Sequence, residues 1–209
     1  MKTNMKKEAG VIHKLFEHQL QDIFWAETEL DKFMPKIVSQ VTSPELKSTF
    51  QEHMKITKQQ IKRLKDIFEI MGSEAKGEKC DGMEGLMKEA ETLIEEADPG
   101  MIRDAFIIGA VQKVEHYEMA SYGTLKALAT LFGEYEVASL LGETLKEEKE
   151  ADMKLTEVAE NMVNIEAANE AGELEDTKDD FEDDDEEEFE ASSKGGSKFK
   201  SRPRSRSKK

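Results

Sequence analysis

A glutamate set in the middle of an apolar helical row restricts how this chain can fold more than any other feature. Steps of three or four residues from Ile107 give Ile107, Val111, Val114, Glu118, Ser121 and Leu125, apolar or small apart from one carboxylate. Glu115 lies one turn back on the same side. Glutamate is almost never fully buried alone, because removing its charge from water costs several kcal/mol or forces it to stay protonated. Such a row calls for something positive opposite it.

Three further rows repeat the pattern. The first reads Phe16, Leu20, Ile23, Glu27, Leu30, Met34, Ile37, Val41, with Glu27 its only charge. The second reads Leu46, Phe50, His53, Thr57, Gln60, Leu64, Ile67, Met71, with its polar members gathered from His53 to Gln60. The last reads Val137, Leu141, Leu145, Glu148, Asp152, Leu155, Val158. Rows this long, with aromatics at 7% and four prolines in 209 residues, predict long helices and no sheet.

The punctuation divides them. The first helix is expected from near Gly10, with Pro35 kinking it or ending its regular part. Ser43, Pro44 and Glu45 supply an N-cap, a first-turn proline and a first-turn acid, and Gly72 stops the second helix. Residues 72–82 read as loop and 83–97 as a shorter amphipathic helix. Asp98-Pro99 is expected to cap a third long helix ending at Phe132, and Gly133 separates it from a fourth reaching roughly Val163. The expected fold is all-α: a four-helix bundle whose long crossover carries a short fifth helix and makes the second and third long helices parallel. It occupies residues 10–165, after a flexible stretch at 1–9 and before a disordered tail at 166–209. In that tail acids gather at 173–190 and bases at 194–209, too polar to bury a core.

Depth along the helices makes the odd residues coincide. Glu27 lies 15 residues before a turn at Thr42 and His53 lies 11 after it, while Glu118 and Glu148 lie 15 on either side of Gly133. A lone glutamate on a stripe is most simply an edge residue or half of a buried salt bridge. Here four helices agree, no row position at that depth is Lys or Arg, and Lys146 and Lys149 point elsewhere. Several carboxylates with one imidazole suit hard or borderline divalent ions, iron or manganese before a thiolate-preferring metal.

Five phrases carry a family resemblance: Ile-Phe-Trp-Ala-Glu-Thr-Glu-Leu from Ile23, Gln-Gln-Ile-Lys-Arg-Leu from Gln59, Met-Glu-Gly-Leu from Met83, Lys-Val-Glu-His-Tyr-Glu-Met-Ala-Ser-Tyr-Gly-Thr-Leu from Lys113, and Glu-Thr-Leu-Lys-Glu-Glu-Lys-Glu-Ala-Asp from Glu143. In this order and spacing, over about residues 10–165, they resemble the YciE/YciF family of ferritin-like stress proteins. The resemblance implies a rubrerythrin-like bundle, a homodimer, and a dinuclear centre of two iron ions or of manganese. Its ligands would be Glu27, His53, Glu115, Glu118 and Glu148, with Asp152 a further candidate one turn on. Tyr117 and Tyr122 become candidate catalytic phenols able to hydrogen-bond an oxygen species. The second helix departs from the family pattern, because Ile56 stands where an acid is expected.

The implied activity is oxidation of ferrous iron or reduction of peroxide in a stress response, with oxygen or peroxide as the small-molecule substrate. Its rival is a non-enzymatic metal-binding or structural helical dimer with weak or vestigial redox activity. Cys80 is the single cysteine, which rules out an internal disulfide and a Cys-x-x-Cys electron-transfer module. A net charge of -16 argues against nucleic acid on the main body, while the basic tail is suited to weak contact with nucleic acid or another polyanion. No apolar run approaches the roughly 18 residues of a membrane span, and no apolar signal core follows the first residues, so no membrane partner and a cytoplasmic location are expected.

Overall fold

The computed structural model describes residues 2–173, with side chains from Gly10 onward. Helix α1 spans Lys2–Gln40 and so includes residues 2–9 of the stretch expected to be flexible. Lys, Met, Glu and Ala at positions 5–9 are helix formers, and Gly10 inside a helix costs only about 1 kcal/mol relative to alanine. Pro35 does not end the helix either. It removes one backbone bond, but Met34, Ile37 and Val41 on either side of it are buried, and that packing holds the last turn in place.

The turn to α2 (Pro44–Ile70) follows expectation: Ser43 Oγ accepts the Leu46 N–H at 3.3 Å, and Pro44 occupies the first turn. Gly72 closes the helix with φ 69°, a left-handed conformation natural to glycine. The crossover carries α3 (Asp81–Glu96), which packs against α1 and the next long helix, α4 (Met101–Phe132). Asp98-Pro99 does not cap α4. Its cap position is Gly100, which has no side chain to offer, and the Met101 and Ile102 N–H groups donate instead to Glu170 Oε2, at 2.6 and 3.3 Å.

Gly133 (φ 81°) turns the chain into α5 (Tyr135–Val158), which passes through a π-helical turn, Ala159–Val163, into α6 (Asn164–Ala171). Helical structure thus continues six residues past the expected boundary at 165, because α6 packs on α4 and supplies its missing cap. Residues 174–209, with most of the acidic segment and the whole basic one, lie outside the described residues.

The four long helices close a ring in the order α1, α2, α5, α4. Arg63 reaches Glu147 while Lys154 reaches Glu52, so α2 and α5 run antiparallel. Phe16 meets Phe132 edge-on at 5.7 Å between ring centroids, and Asp104 accepts from Thr42 at the other end, so α1 and α4 are antiparallel too. Hence α2 and α4 are parallel across the bundle, as a long crossover requires. The apolar rows fill the interior, and only Met71, Ser121, Leu145 and Asp152 of the row positions fall short of full burial. No helix among the described residues is long and apolar enough to cross a membrane.

Candidate metal centre

Halfway along the bundle the apolar rows give way to acids. Glu27 from α1, His53 from α2, Glu115 and Glu118 from α4 and Glu148 from α5 are all buried, none more than 7% exposed. The antiparallel ring brings the four depths together. His53 Nε2 lies 3.3 Å from Glu115 Oε1 and 4.0 Å from Glu148 Oε2, and the three side chains can offer ligand atoms within 4.8 Å of one another.

The electrostatics follow from burial. Desolvation, then mutual repulsion, raises the pKa of Glu27, Glu115 and Glu118 well above the usual carboxylate range. Desolvation also pushes Glu148 up to about 7, while the adjacent Glu115 carboxyl and the bond from Gln60 pull it down. Burial moves His53 the other way, to about 4, favouring the neutral ring that a metal requires. Tyr122, fully buried, donates from its hydroxyl to Glu27 Oε1 at 2.5 Å, and its own pKa is raised by desolvation and the Glu27 charge.

Each of these ligand candidates retains an unused polar atom. Glu27 Oε2, His53 Nδ1, Glu115 Oε2, Glu118 Oε1 and Glu148 Oε2 are buried without a protein partner. Buried polar groups in native proteins are nearly always paired. His53, Glu115 and Glu148, an imidazole and two carboxylates whose ligand atoms lie within 4.8 Å of one another, form a donor set that fits hard or borderline divalent cations. The residues present can therefore hold a metal.

Two sequence candidates stand apart from this cluster. Tyr117 donates its hydroxyl to Asp22 Oδ2 at 2.7 Å and lies 2.9 Å from Cys80 Sγ. Asp152 is partly exposed, accepts from Gln112 Nε2 at 3.1 Å and faces His116 Nδ1 at 3.5 Å. The arginine that the row count ruled out does exist beside the site. Arg63 is buried off the main row, but it donates to Thr144 Oγ1 at 2.7 Å and to Glu147 at 2.8 and 2.9 Å, and Glu143 lies 3.2 Å away. Its charge is met by Glu147 and Glu143, so the central carboxylates keep their open oxygens. Gln60 bridges the two groups, donating to both Glu148 and Glu147. Sequence reasoning missed Arg63, Thr144 and Glu147; the only signal was the Gln60-to-Arg63 spacing, which puts an arginine one turn from a row position.

Residues 11–168 match the family described as a domain of unknown function, DUF892. Protein YciF of Escherichia coli strain K12 is 43% identical over 169 residues, 80% of this chain and 99% of that protein. The crystal structure of the E. coli stress protein YciF superposes with a TM-score of 0.70 at 43% identity, covering 73% of this chain and 97% of that one. YcfI from Rhodopseudomonas palustris gives a TM-score of 0.67 at 40% identity, covering 69% and 92%.

Proposed function

This chain belongs to the DUF892 family, which it shares with YciF, and on that premise we propose that its buried carboxylate cluster is a ferritin-like dinuclear centre that oxidises ferrous iron or reduces peroxide. YciF is described as a stress protein, and an oxidative stress response is the setting this chemistry suits. The observation that carries the reading is the set of five buried, unpartnered donor atoms contributed by all four long helices. Two redox-active ions held side by side would supply two electrons to one oxygen or peroxide molecule.

The protein's share is binding and orientation. Glu27, Glu118, Glu115, Glu148 and His53 would hold the ions, with iron as the first choice and manganese as the alternative. Tyr122 fixes one oxygen of Glu27 and Gln60 fixes one oxygen of Glu148, leaving the opposite oxygen of each free to bind. Buried aliphatic side chains fill the bundle above and below the cluster.

Anaerobic titration with ferrous iron, followed by oxygen or peroxide, tests this. We expect two ions retained per chain, oxidation faster than in protein-free buffer, and loss of both in Glu118→Ala. Failure to retain any ion overturns the reading. One observation favours a non-enzymatic metal-binding role instead: Ile56, beside His53, offers no ligand where an acid was expected. One ion per chain without oxidation above the protein-free rate would establish that alternative.

A further inference from the structure

A cavity of about 130 Å³ opens between α2 and α5 and ends at the cluster. Phe50, Ile56, Ala151 and Leu155 give it one apolar wall, Glu147 and Glu150 stand on the α5 side, and His53 and Glu115 line it as well. These two are more than nine-tenths buried, and His53 Nδ1 and Glu115 Oε2 have no partner. At the rim, exposed Lys154 and Glu52 pair at 2.6 Å across the two helices. The size is informative: an apolar cavity of roughly 150 Å³ holds benzene, so this one accommodates a body of about five or six non-hydrogen atoms. Dioxygen or hydrogen peroxide alone would leave most of it to be filled by water against hydrocarbon, which is unfavourable.

We propose that this pocket binds a small hydroperoxide with a branched apolar body, of the size of tert-butyl hydroperoxide, its hydroperoxyl group toward His53 and Glu115 and its alkyl group against Phe50, Ile56 and Leu155. The inference rests on the reading above and names the substrate class of the same site. Ile56 supplies part of the apolar wall, next to His53. An acid there would replace apolar surface between Phe50 and Leu155 with a further charge and disfavour an alkyl group on that wall. Breaking the O–O bond to give an alcohol and water takes two electrons and two protons; two ferrous ions, if held by the carboxylates and His53, would supply the electrons, and solvent the protons.

The first test uses the metal-free protein, with tert-butyl hydroperoxide and, separately, hydrogen peroxide titrated against the Ile56 and Leu155 methyl signals. Saturable shifts with a Kd on the order of 1–10 mM are expected for the alkyl compound alone. Ala151→Leu, which fills the pocket without touching a ligand, should weaken that binding at least tenfold. In the iron-loaded protein it should lower kcat/KM for tert-butyl hydroperoxide by a similar factor and leave that for hydrogen peroxide unchanged. Ile56→Glu should abolish the methyl-detected binding at Leu155 and serves as the second variant. No saturable shift in the unsubstituted protein, or binding that Ala151→Leu leaves unaltered, overturns the proposal. Hydrogen peroxide turnover without alkyl binding refutes this inference alone, whereas alkyl binding with no metal-dependent turnover of either peroxide supports the pocket and refutes the di-metal function.

Discussion

Two places in this bundle bury carboxylates completely, and they differ in how the surrounding protein treats them. Asp104, at the start of α4, accepts the Thr42 N–H at 2.9 and 3.1 Å and the Ser43 N–H at 2.6 Å, so the α1–α2 turn uses both its oxygens. The mid-bundle glutamates reach the same burial with an open oxygen apiece. In one place the fold needs the charge to satisfy backbone donors; in the other the fold supports the charge at its own expense. Partners, more than burial, separate an acid that builds the structure from one held ready for a ligand.

The contrast is sharpest in substitution. Asp104→Ala leaves the Ser43 N–H buried and unpaired and the part-buried Thr42 N–H without its acceptor, and should lower the free energy of unfolding by about 2 kcal/mol with or without metal, as read from urea denaturation. Glu118→Gln should act in the opposite sense on the metal-free protein, leaving stability equal or raised because a neutral amide replaces a buried carboxyl that must hold its proton to stay inside. It should also abolish the gain on adding metal, about 3 kcal/mol when free ion is a hundredfold above Kd. If both variants destabilise the metal-free protein equally, the distinction fails.

Titration gives the next largest effect. A carboxyl whose pKa is raised by folding stabilises fully below its unfolded value, near 4.5, and that contribution is lost as pH climbs through the folded value, about 7 for Glu148 and higher for Glu27, Glu115 and Glu118. His53, lowered to about 4 from 6.5, does the reverse: its contribution is present above 6.5 and lost on acidification. The two oppose each other between pH 4.5 and 6.5, and only the carboxyls act above that. Metal-free protein should therefore lose about 2 kcal/mol between pH 6.5 and 8 for each carboxyl that stays protonated across that range, at roughly 1.4 kcal/mol per pH unit. Metal-loaded protein should not show this loss, because the ion takes the place of the protons. Thermal unfolding across that range, with and without ferrous iron, decides it.

The smallest effect concerns an exposed acid. Glu170 caps α4 from α6, and Glu170→Ala should cost about 1 kcal/mol, seen as faster hydrogen exchange at Met101, Ile102 and along α6. An unchanged exchange pattern would mean that α6 is held by packing alone.

Much of this was legible in the residues. The spacing of apolar side chains specifies which face of each helix turns inward, and Glu27, His53, Glu118 and Glu148 lie on those faces at matching distances from the turns, so their convergence followed from periodicity and loop length. Glu115 was found because it sits one turn from Glu118. What spacing could not decide is where a long side chain ends once its face is chosen. Asp152 occupies a row position yet turns to Gln112 and His116, Tyr117 flanks two ligand candidates yet bonds Asp22 and Cys80, and Arg63 lies off the row yet reaches the edge of the site. The cap on α4 came from 70 residues downstream and not from Asp98, two residues away. Helical period is a property of one segment, read along the chain. A hydrogen-bond partner is selected by whichever neighbouring helix stands within about 3 Å, and only the packed bundle determines that.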